Sequence, residues 1–536
     1  MQILKILVLT IVLSPLLAQP LIQAQSLDQT VPHRIIEANN HWIEVAPDIS
    51  LDTRLYLPET KKFPGLRPTI IFASSWALDK YEYEVQARRF ADDGFLVLSY
   101  TPRGFGRSDG VISGAGPNDQ NDVSVLIDWL EANTSVDISN LAMAGISYGG
   151  GLALLSATRE PRLKTVVSMS GWADLAESLY SNNTMHDDWI RILLVSGEVT
   201  GRMDPQIRQH IENVKRGEGI EEFRQWSFER SSLLHMDLIN SRKIPIFVTS
   251  NYDDELFSSN QMAMFYDKIE GPKKMLLTKG IHFSSELTGL VGLKSAVWSK
   301  VHQWIKHWLV QPDPEITFGY ELTAGSGQEF YPDLPEARAL KALEFSPINE
   351  VKNEKVTFNR ALDSAANPGI VPVVSSALHA HLDLDTIQVM KIINQKYGAV
   401  YETKVVEGKE IKLRGLPKVS FTVAPHEGPM TLVAYLYDTN LFGVGTLLSH
   451  GVYSFTDSTT KEETIDITLN SMATDLTAGH KLTLVIDGLD PLYLSLGGKS
   501  GPDSVQIVQR EDSPMSVKLP IVTPATPGVE VGSGVD

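Results

Sequence analysis

Short apolar runs rich in β-branched residues recur through the first half of the chain, and stretches with the helical spacing of apolar residues separate them. Thr69-Ile70-Ile71-Phe72-Ala73, Phe95-Leu96-Val97-Leu98-Ser99-Tyr100, Leu141-Ala142-Met143-Ala144-Gly145, Thr165-Val166-Val167-Ser168-Met169, Ile244-Pro245-Ile246-Phe247-Val248 and Lys274-Met275-Leu276-Leu277 read as successive buried strands. Residues 83–92, 122–132 and 296–309 read as helices. A strand apolar on both sides needs helices on both faces, so the alternation over 41–309 predicts an α/β unit on a largely parallel sheet. The domain is expected to span 33–312. Residues 174–243 break the alternation with a long, charged, mostly helical interval, expected to be a cap inserted between two strands.

At 536 residues the chain is too long for one hydrophobic core. After Gln311-Pro312-Asp313-Pro314 the texture changes to alternating strands broken by Gly, Pro, Asn and Asp, which predicts an all-β sandwich or jelly roll over 313–522. Residues 523–536, rich in Pro and Gly, read as a disordered tail. At the other end Lys5 precedes a short apolar run and small polar residues, the pattern of a secretory signal over 1–25, which places the protein in the periplasm or outside the cell with no membrane association after cleavage. No cysteine is present, so neither disulfides nor thiolate metal sites enter the account. A net charge of −18 sets the chain against nucleic acid and anionic membrane surfaces. The partners that remain are a small substrate and a second copy of the chain in a possible homo-oligomer.

Gly-x-Ser-x-Gly occurs twice, at Gly106-Arg107-Ser108-Asp109-Gly110 and Gly145-Ile146-Ser147-Tyr148-Gly149. Nucleophilic use of the serine requires a strand that turns sharply into a helix, exposing the hydroxyl and aiming helix amides at the reacting oxygen. Ser147 has both flanks, whereas Ser108 runs into a Gly- and Pro-containing loop and reads as a turn residue. This is the signature of an α/β-hydrolase fold with an inserted helical cap. A hydroxyl needs a base, and the base an orienting acid, in the chain order Ser, Asp, His. Asp253 and Asp254 follow one predicted strand and His282 follows the last, all at the carboxyl edge of the sheet, where ligands bind. Either aspartate fits by position. The backbone N–H of Tyr148 is one expected oxyanion donor, and Trp76, through its backbone or indole N–H, is the other. Metal and cofactor are not called for.

Further motifs accompany these. Ser99-Tyr100-Thr101-Pro102-Arg103-Gly104-Phe105-Gly106-Arg107-Ser108, Gly145-Ile146-Ser147-Tyr148-Gly149-Gly150, Ser170-Gly171-Trp172-Ala173-Asp174-Leu175 and Asp254-Glu255-Leu256-Phe257 resemble the X-Pro dipeptidyl-peptidase and cocaine esterase family of acyl hydrolases. Leu413-Arg414-Gly415-Leu416-Pro417, Gly479-His480-Lys481-Leu482 and Asp490-Pro491-Leu492-Tyr493 look like its C-terminal jelly roll. The resemblance implies a Ser147, Asp254, His282 triad, a helical cap and no cofactor. In the esterase branch a tyrosine hydroxyl assists the oxyanion; Trp76 stands in that place here. Where the family usually has glycine before the acid this chain has Ser250-Asn251, and asparagine is expected to tolerate a left-handed turn. The implied activity is cleavage of a peptide or ester bond, in its most specific form release of Xaa-Pro dipeptides, with a small-molecule esterase or amidase as the alternative and a non-catalytic envelope binding protein as a remote third. Trp172, Tyr180, Asp187, Asp188 and Trp189 are the expected substrate contacts, the acids for an α-amine and the aromatics for proline.

Overall fold

The apolar runs become the middle of a ten-stranded sheet in the computed structural model, which describes residues 37–324, 327–333, 340–344, 346–347, 354–357, 387–390, 398–406, 411–497, 501–508 and 515–522. The leader expected over 1–25 and the tail over 523–536 lie outside the described residues. Strands β1 (Glu37–Ala46), β2 (Ile49–Leu57), β3 (Arg67–Ala73), β4 (Leu96–Tyr100), β5 (Val136–Ile146) and β6 (Leu163–Met169) are interleaved with helices α1 (Glu84–Asp92), α2 (Pro117–Asn133) and α3 (Tyr148–Arg159). Next come α4 (Leu175–Leu179), a hairpin of β7 (Tyr180–Ser181) and β8 (Thr184–Met185), α5 (Asp187–Thr200), α6 (Pro205–Lys215), α7 (Ile220–Phe228) and α8 (Met236–Arg242). The unit closes with β9 (Ile246–Asn251), α9 (Ser259–Lys268), β10 (Lys273–Thr278), α10 (Ser284–Leu290), α11 (Ala296–Leu309), β11 (Gly319–Ala324) and β12 (Gly327–Tyr331).

The sheet order is β1-β2-β4-β3-β5-β6-β9-β10-β11-β12, parallel from β4 to β11 and antiparallel at both margins. Alternation along each strand sorts the core into two faces. Ile71, Leu98 and Met143 meet α2 and α3, while Ile70, Phe72, Val97, Ala142 and Ala144 meet α1 and α11. Both faces are therefore dry, as a parallel sheet requires.

Two expectations need correction. Helix α2 starts at Pro117 rather than at 122, because proline at the first helical position gives up only an N–H that has no partner there anyway. The segment from 174 to 243 is mostly helical as expected, broken by the β7/β8 hairpin, which Asn182 and Asn183, both left-handed (φ 47° and 58°), turn. The sheet does not end at 312: β11 adds parallel to β10, and β12 pairs back on it. Glu321 on β11 is buried, and Lys274 (2.8 Å) and Lys300 (2.7 Å) neutralise it, which ties the strand to β10 and α11.

Beyond β12 two antiparallel sheets form a sandwich, one built around Lys418–Val423 and Ser516–Val522, the other around Met430–Thr439 and Lys481–Asp487. Met430–Thr439 is buried on both faces: Leu432, Ala434 and Leu436 enter the sandwich core, while Val433, Tyr435 and Tyr437 join the core of the α/β unit. Hydrogen bonds continue the contact. Thr184 meets Ser454 (2.8 Å), Leu494 N–H donates to Met185 (2.9 Å), and Ser258 and Ser259 at the start of α9 meet Asn470 (3.0 Å) and Ser471 (2.5 Å). At the sheet margin fully buried Arg414 binds Glu329 of β12 (2.7 and 2.9 Å) and Asp475 (2.6 Å).

Candidate active site

At the carboxyl end of β5 the chain turns through Ser147 at φ 54°, ψ −114°, and enters α3 at Tyr148. A left-handed serine is strained and persists only where its surroundings hold it. Glycines make the turn possible by close approach: a Cβ on Gly145 would lie 2.4 Å from the Gly149 carbonyl carbon, and one on Gly149 would lie 2.1 Å from the Ala73 carbonyl oxygen. Ser147 N–H donates to Met169 (2.8 Å) and Ile146 N–H to the Tyr83 hydroxyl (2.8 Å), which pins both sides of the turn.

Ser147 Oγ lies 2.8 Å from His282 Nε2, and His282 Nδ1 lies 2.8 Å from Asp254 Oδ2. The other carboxylate oxygen, Asp254 Oδ1, accepts from Leu256 N–H (3.1 Å) and Phe257 N–H (2.9 Å). Asp254 is fully buried and Asp253 is exposed, so the two candidate acids separate completely. The orientation requires Nδ1–H toward Asp254, leaving Nε2 to accept the serine proton. Phe257, Phe283 and Trp189 surround the imidazole edge to face, with ring centroids 5.2, 5.5 and 6.1 Å away.

The loops carrying the acid and the base share a buried polar brace. Asn251 donates to Ser170 Oγ (3.0 Å) and accepts from Thr278 Oγ1 (2.7 Å), so its amide links the ends of β6, β9 and β10. Glu286 of α10, fully buried, accepts from Ser170 (3.1 Å), Thr249 (2.8 Å) and Ser285 (2.8 Å). Burial pushes its carboxyl above the ordinary range against those hydrogen bonds. Asn251 is thus not a left-handed turn residue: it lies within β9, absent from the positive-φ positions, and its side chain, not its backbone freedom, explains its presence.

Ser108, the other motif serine, is fully buried and donates to the Thr101 carbonyl (2.7 Å) while accepting from Asp52 N–H (2.9 Å), which makes it a turn residue. Tyr148 offers the first amide of α3, one of the groups a helix leaves unbonded. Its hydroxyl is engaged below, accepting from Ala115 N–H (2.6 Å) and lying 3.4 Å from Asp119, whose carboxyl is pushed up to about 7 by burial. The indole of Trp76 cannot serve the oxyanion, because its Nε1–H donates to Leu193 (3.0 Å) and Ser196 (3.2 Å) of the cap. Only the Trp76 backbone N–H remains for that role.

A cavity of about 70 Å³ opens beside Ser147 between Trp76, Tyr148, Trp172, Trp226, Phe257 and the cap helices. Of the expected contacts only Trp172 lines it. Trp189 touches the site at His282, Tyr180 packs against Phe223, and Asp187 is held by Arg191 (2.5 Å) and Lys215 (2.7 Å), bonds that lower its carboxyl despite burial. Asp188 is half-buried outside the wall, and desolvation raises its carboxyl. Residues that sequence reasoning missed supply the wall: Leu175 and Leu179 on α4, Ile190, Leu193 and Leu194 on α5, Ile207 and Ile211 on α6. Their spacing of three and four residues is a readable helical stripe.

Against known families, residues 48–284 match the X-Pro dipeptidyl-peptidase (S15) family and residues 347–511 match the X-Pro dipeptidyl-peptidase C-terminal non-catalytic domain. An uncharacterized 31.7 kDa protein of Escherichia coli is 34% identical over 89 residues, 16% of this chain and 31% of that protein. A thiohydrolase of Arthrinium phaeospermum is 37% identical over 89 residues, 16% of this chain and 29% of its own. The chain thus matches under a third of the length of these curated relatives. Among solved structures, an α-amino acid ester hydrolase superposes with a TM-score of 0.70 at 14% identity, covering 93% of this chain and all of that one. An aminopeptidase from a marine sediment archaeon, Thaumarchaeota, gives a TM-score of 0.69 at 12% identity, covering 92% and 99%. At these identities the likeness is one of fold.

Proposed function

Since this chain belongs to the X-Pro dipeptidyl-peptidase (S15) family, we propose that it is a serine hydrolase that cleaves peptide or ester bonds through an acyl-enzyme on Ser147. The observation that carries the reading is the unbroken relay at 2.8 Å and 2.8 Å from Ser147 through His282 to buried Asp254. His282 Nε2 takes the serine proton as Oγ adds to the substrate carbonyl, and Asp254 stabilises the imidazolium that forms. The oxyanion faces the Tyr148 and Trp76 backbone amides. Collapse expels the alcohol or amine with a proton from His282, and water then repeats the sequence on the acyl-enzyme.

The peptide form of the reaction has one supporting feature of its own. A free α-amine needs a carboxylate, and Asp188, at the start of α5 next to Trp189, makes no ion pair among the described residues. The reading also includes export as a secreted or periplasmic enzyme, which the leader pattern supports; no helix among the described residues is long and apolar enough to cross a membrane. The test is steady-state turnover of p-nitrophenyl esters and Ala-Pro-p-nitroanilide. Ser147→Ala and His282→Ala should each lower kcat by about 10⁴ or more on whichever substrate is cleaved. Wild-type activity unchanged by either substitution would refute it, and Asp188→Asn tests the peptide form by raising KM for the anilide alone.

A further inference from the structure

The cavity beside Ser147 differs from an ordinary polar cleft in one respect: the polar side-chain atoms of Trp76, Trp172 and Tyr148 in its wall are engaged in hydrogen bonds within the protein. Trp76 Nε1–H donates to Leu193 and Ser196 of the cap, Trp172 Nε1–H to the Arg230 carbonyl (2.7 Å), and the Tyr148 hydroxyl accepts from Ala115. Among the described residues no charged side chain lines the wall, and Ser147 and Tyr148 are its only hydroxyl-bearing residues. The nearby charges are also committed. Asp187 is paired with Arg191 and Lys215, and Arg230, buried, lies over the Trp226 ring at 4.1 Å while donating to Ser113 (3.1 Å) and Trp226 (2.7 Å) carbonyls. The Arg230 guanidinium on the Trp226 ring repels a second cation there, and the wall offers a carboxylate no cationic side chain.

Resting on the serine-hydrolase reading, we infer that this cavity receives the acyl side of the substrate and selects an uncharged aliphatic group of about three to five carbons. Size follows from volume: about 70 Å³ is roughly half of the ~150 Å³ of an engineered apolar cavity that binds benzene. Within that limit each added methylene is buried against Leu, Ile and Trp side chains and raises kcat/KM by about fourfold. A charged end gives up hydration against this apolar wall without gaining an ion pair, and is disfavoured.

The experiment compares p-nitrophenyl acetate, butanoate, pentanoate and octanoate on the full chain, then methyl pentanoate against monomethyl glutarate by acid release at constant pH. Expected are a kcat/KM about 16-fold higher for butanoate than acetate, a fall by octanoate, and at least a hundredfold preference for pentanoate over glutarate. Ile211→Trp, which fills the wall, should bring the butanoate to acetate ratio toward one. A flat series, an octanoate optimum or equal use of glutarate overturns the inference. Fluorophosphonate labelling of Ser147 in the same samples separates the two claims: labelled protein with no chain-length preference removes only this inference, whereas no labelling and no ester turnover removes both.

Discussion

One peptide bond separates the exposed carboxylate of Asp253 from the fully buried one of Asp254, and only the second reaches His282. Asp254→Asn keeps the shape but favours the wrong imidazole tautomer, so kcat should fall by about 10⁴ in an ester assay, while Asp253→Asn stays near wild type. Residue order in the sequence, with the family resemblance, was enough to nominate serine, acid and base, because strand-to-loop junctions leave few places for them. Asn251 was legible only as a departure from glycine. Its two side-chain bonds run to Ser170 and Thr278, residues distant in sequence, and nothing local announces them. Asn251→Gly should lower kcat about tenfold with KM nearly constant and shift the acidic limb of the pH profile, since the imidazole loses a fixed acid loop. A mere loss of stability with an unaltered profile would argue against a positioning role.

Among elements, the cap was foreseen as an interruption in strand periodicity, and the stripes on α4, α5 and α6 that wall the cavity were present in the spacing of their Leu and Ile residues. The hairpin was missed because four strand residues give no period to detect. Its consequence is a buried histidine. His186, just after β8, contacts Ser181 Oγ (3.0 Å) and the Glu255 carbonyl (3.2 Å), beside the triad acid, with Tyr493 and His450 of the second domain adjoining. Burial lowers its pKa to about 4, against about 6.5 in an unfolded chain. Between those values the unfolded state binds the proton and the folded state does not, so stability declines as pH falls from 6.5 toward 4. Thermal melts across that window should show a shallower decline for His186→Gln than for wild type. Identical slopes would remove the histidine from the account.

For the molecule as a whole, the sequence announced two units but not how they lean on each other, since the contact is made by residues far apart in the chain. Arg414 is the clearest case: a fully buried guanidinium bridging Glu329 and Asp475. Burial opposes ionisation of Glu329, yet hydrogen bonds from Arg414, Tyr331 and Lys412 hold it down at about 2. That lowered value contributes stability above the ordinary carboxylate range, lost as pH falls from about 4 toward 2. Arg414→Ala takes from buried Glu329 its bidentate partner, leaving Lys412 and Tyr331, and should cost about 2–3 kcal/mol, read as an early transition in urea unfolding at neutral pH. Hydrolysis here depends on one activated hydroxyl, and mass mapping of the fluorophosphonate adduct tests that dependence most directly. The expected result is a single modified peptide carrying Ser147, formed far more slowly in His282→Ala and absent in Ser147→Ala. An adduct on Ser108 or elsewhere, with Ser147 untouched, would contradict it.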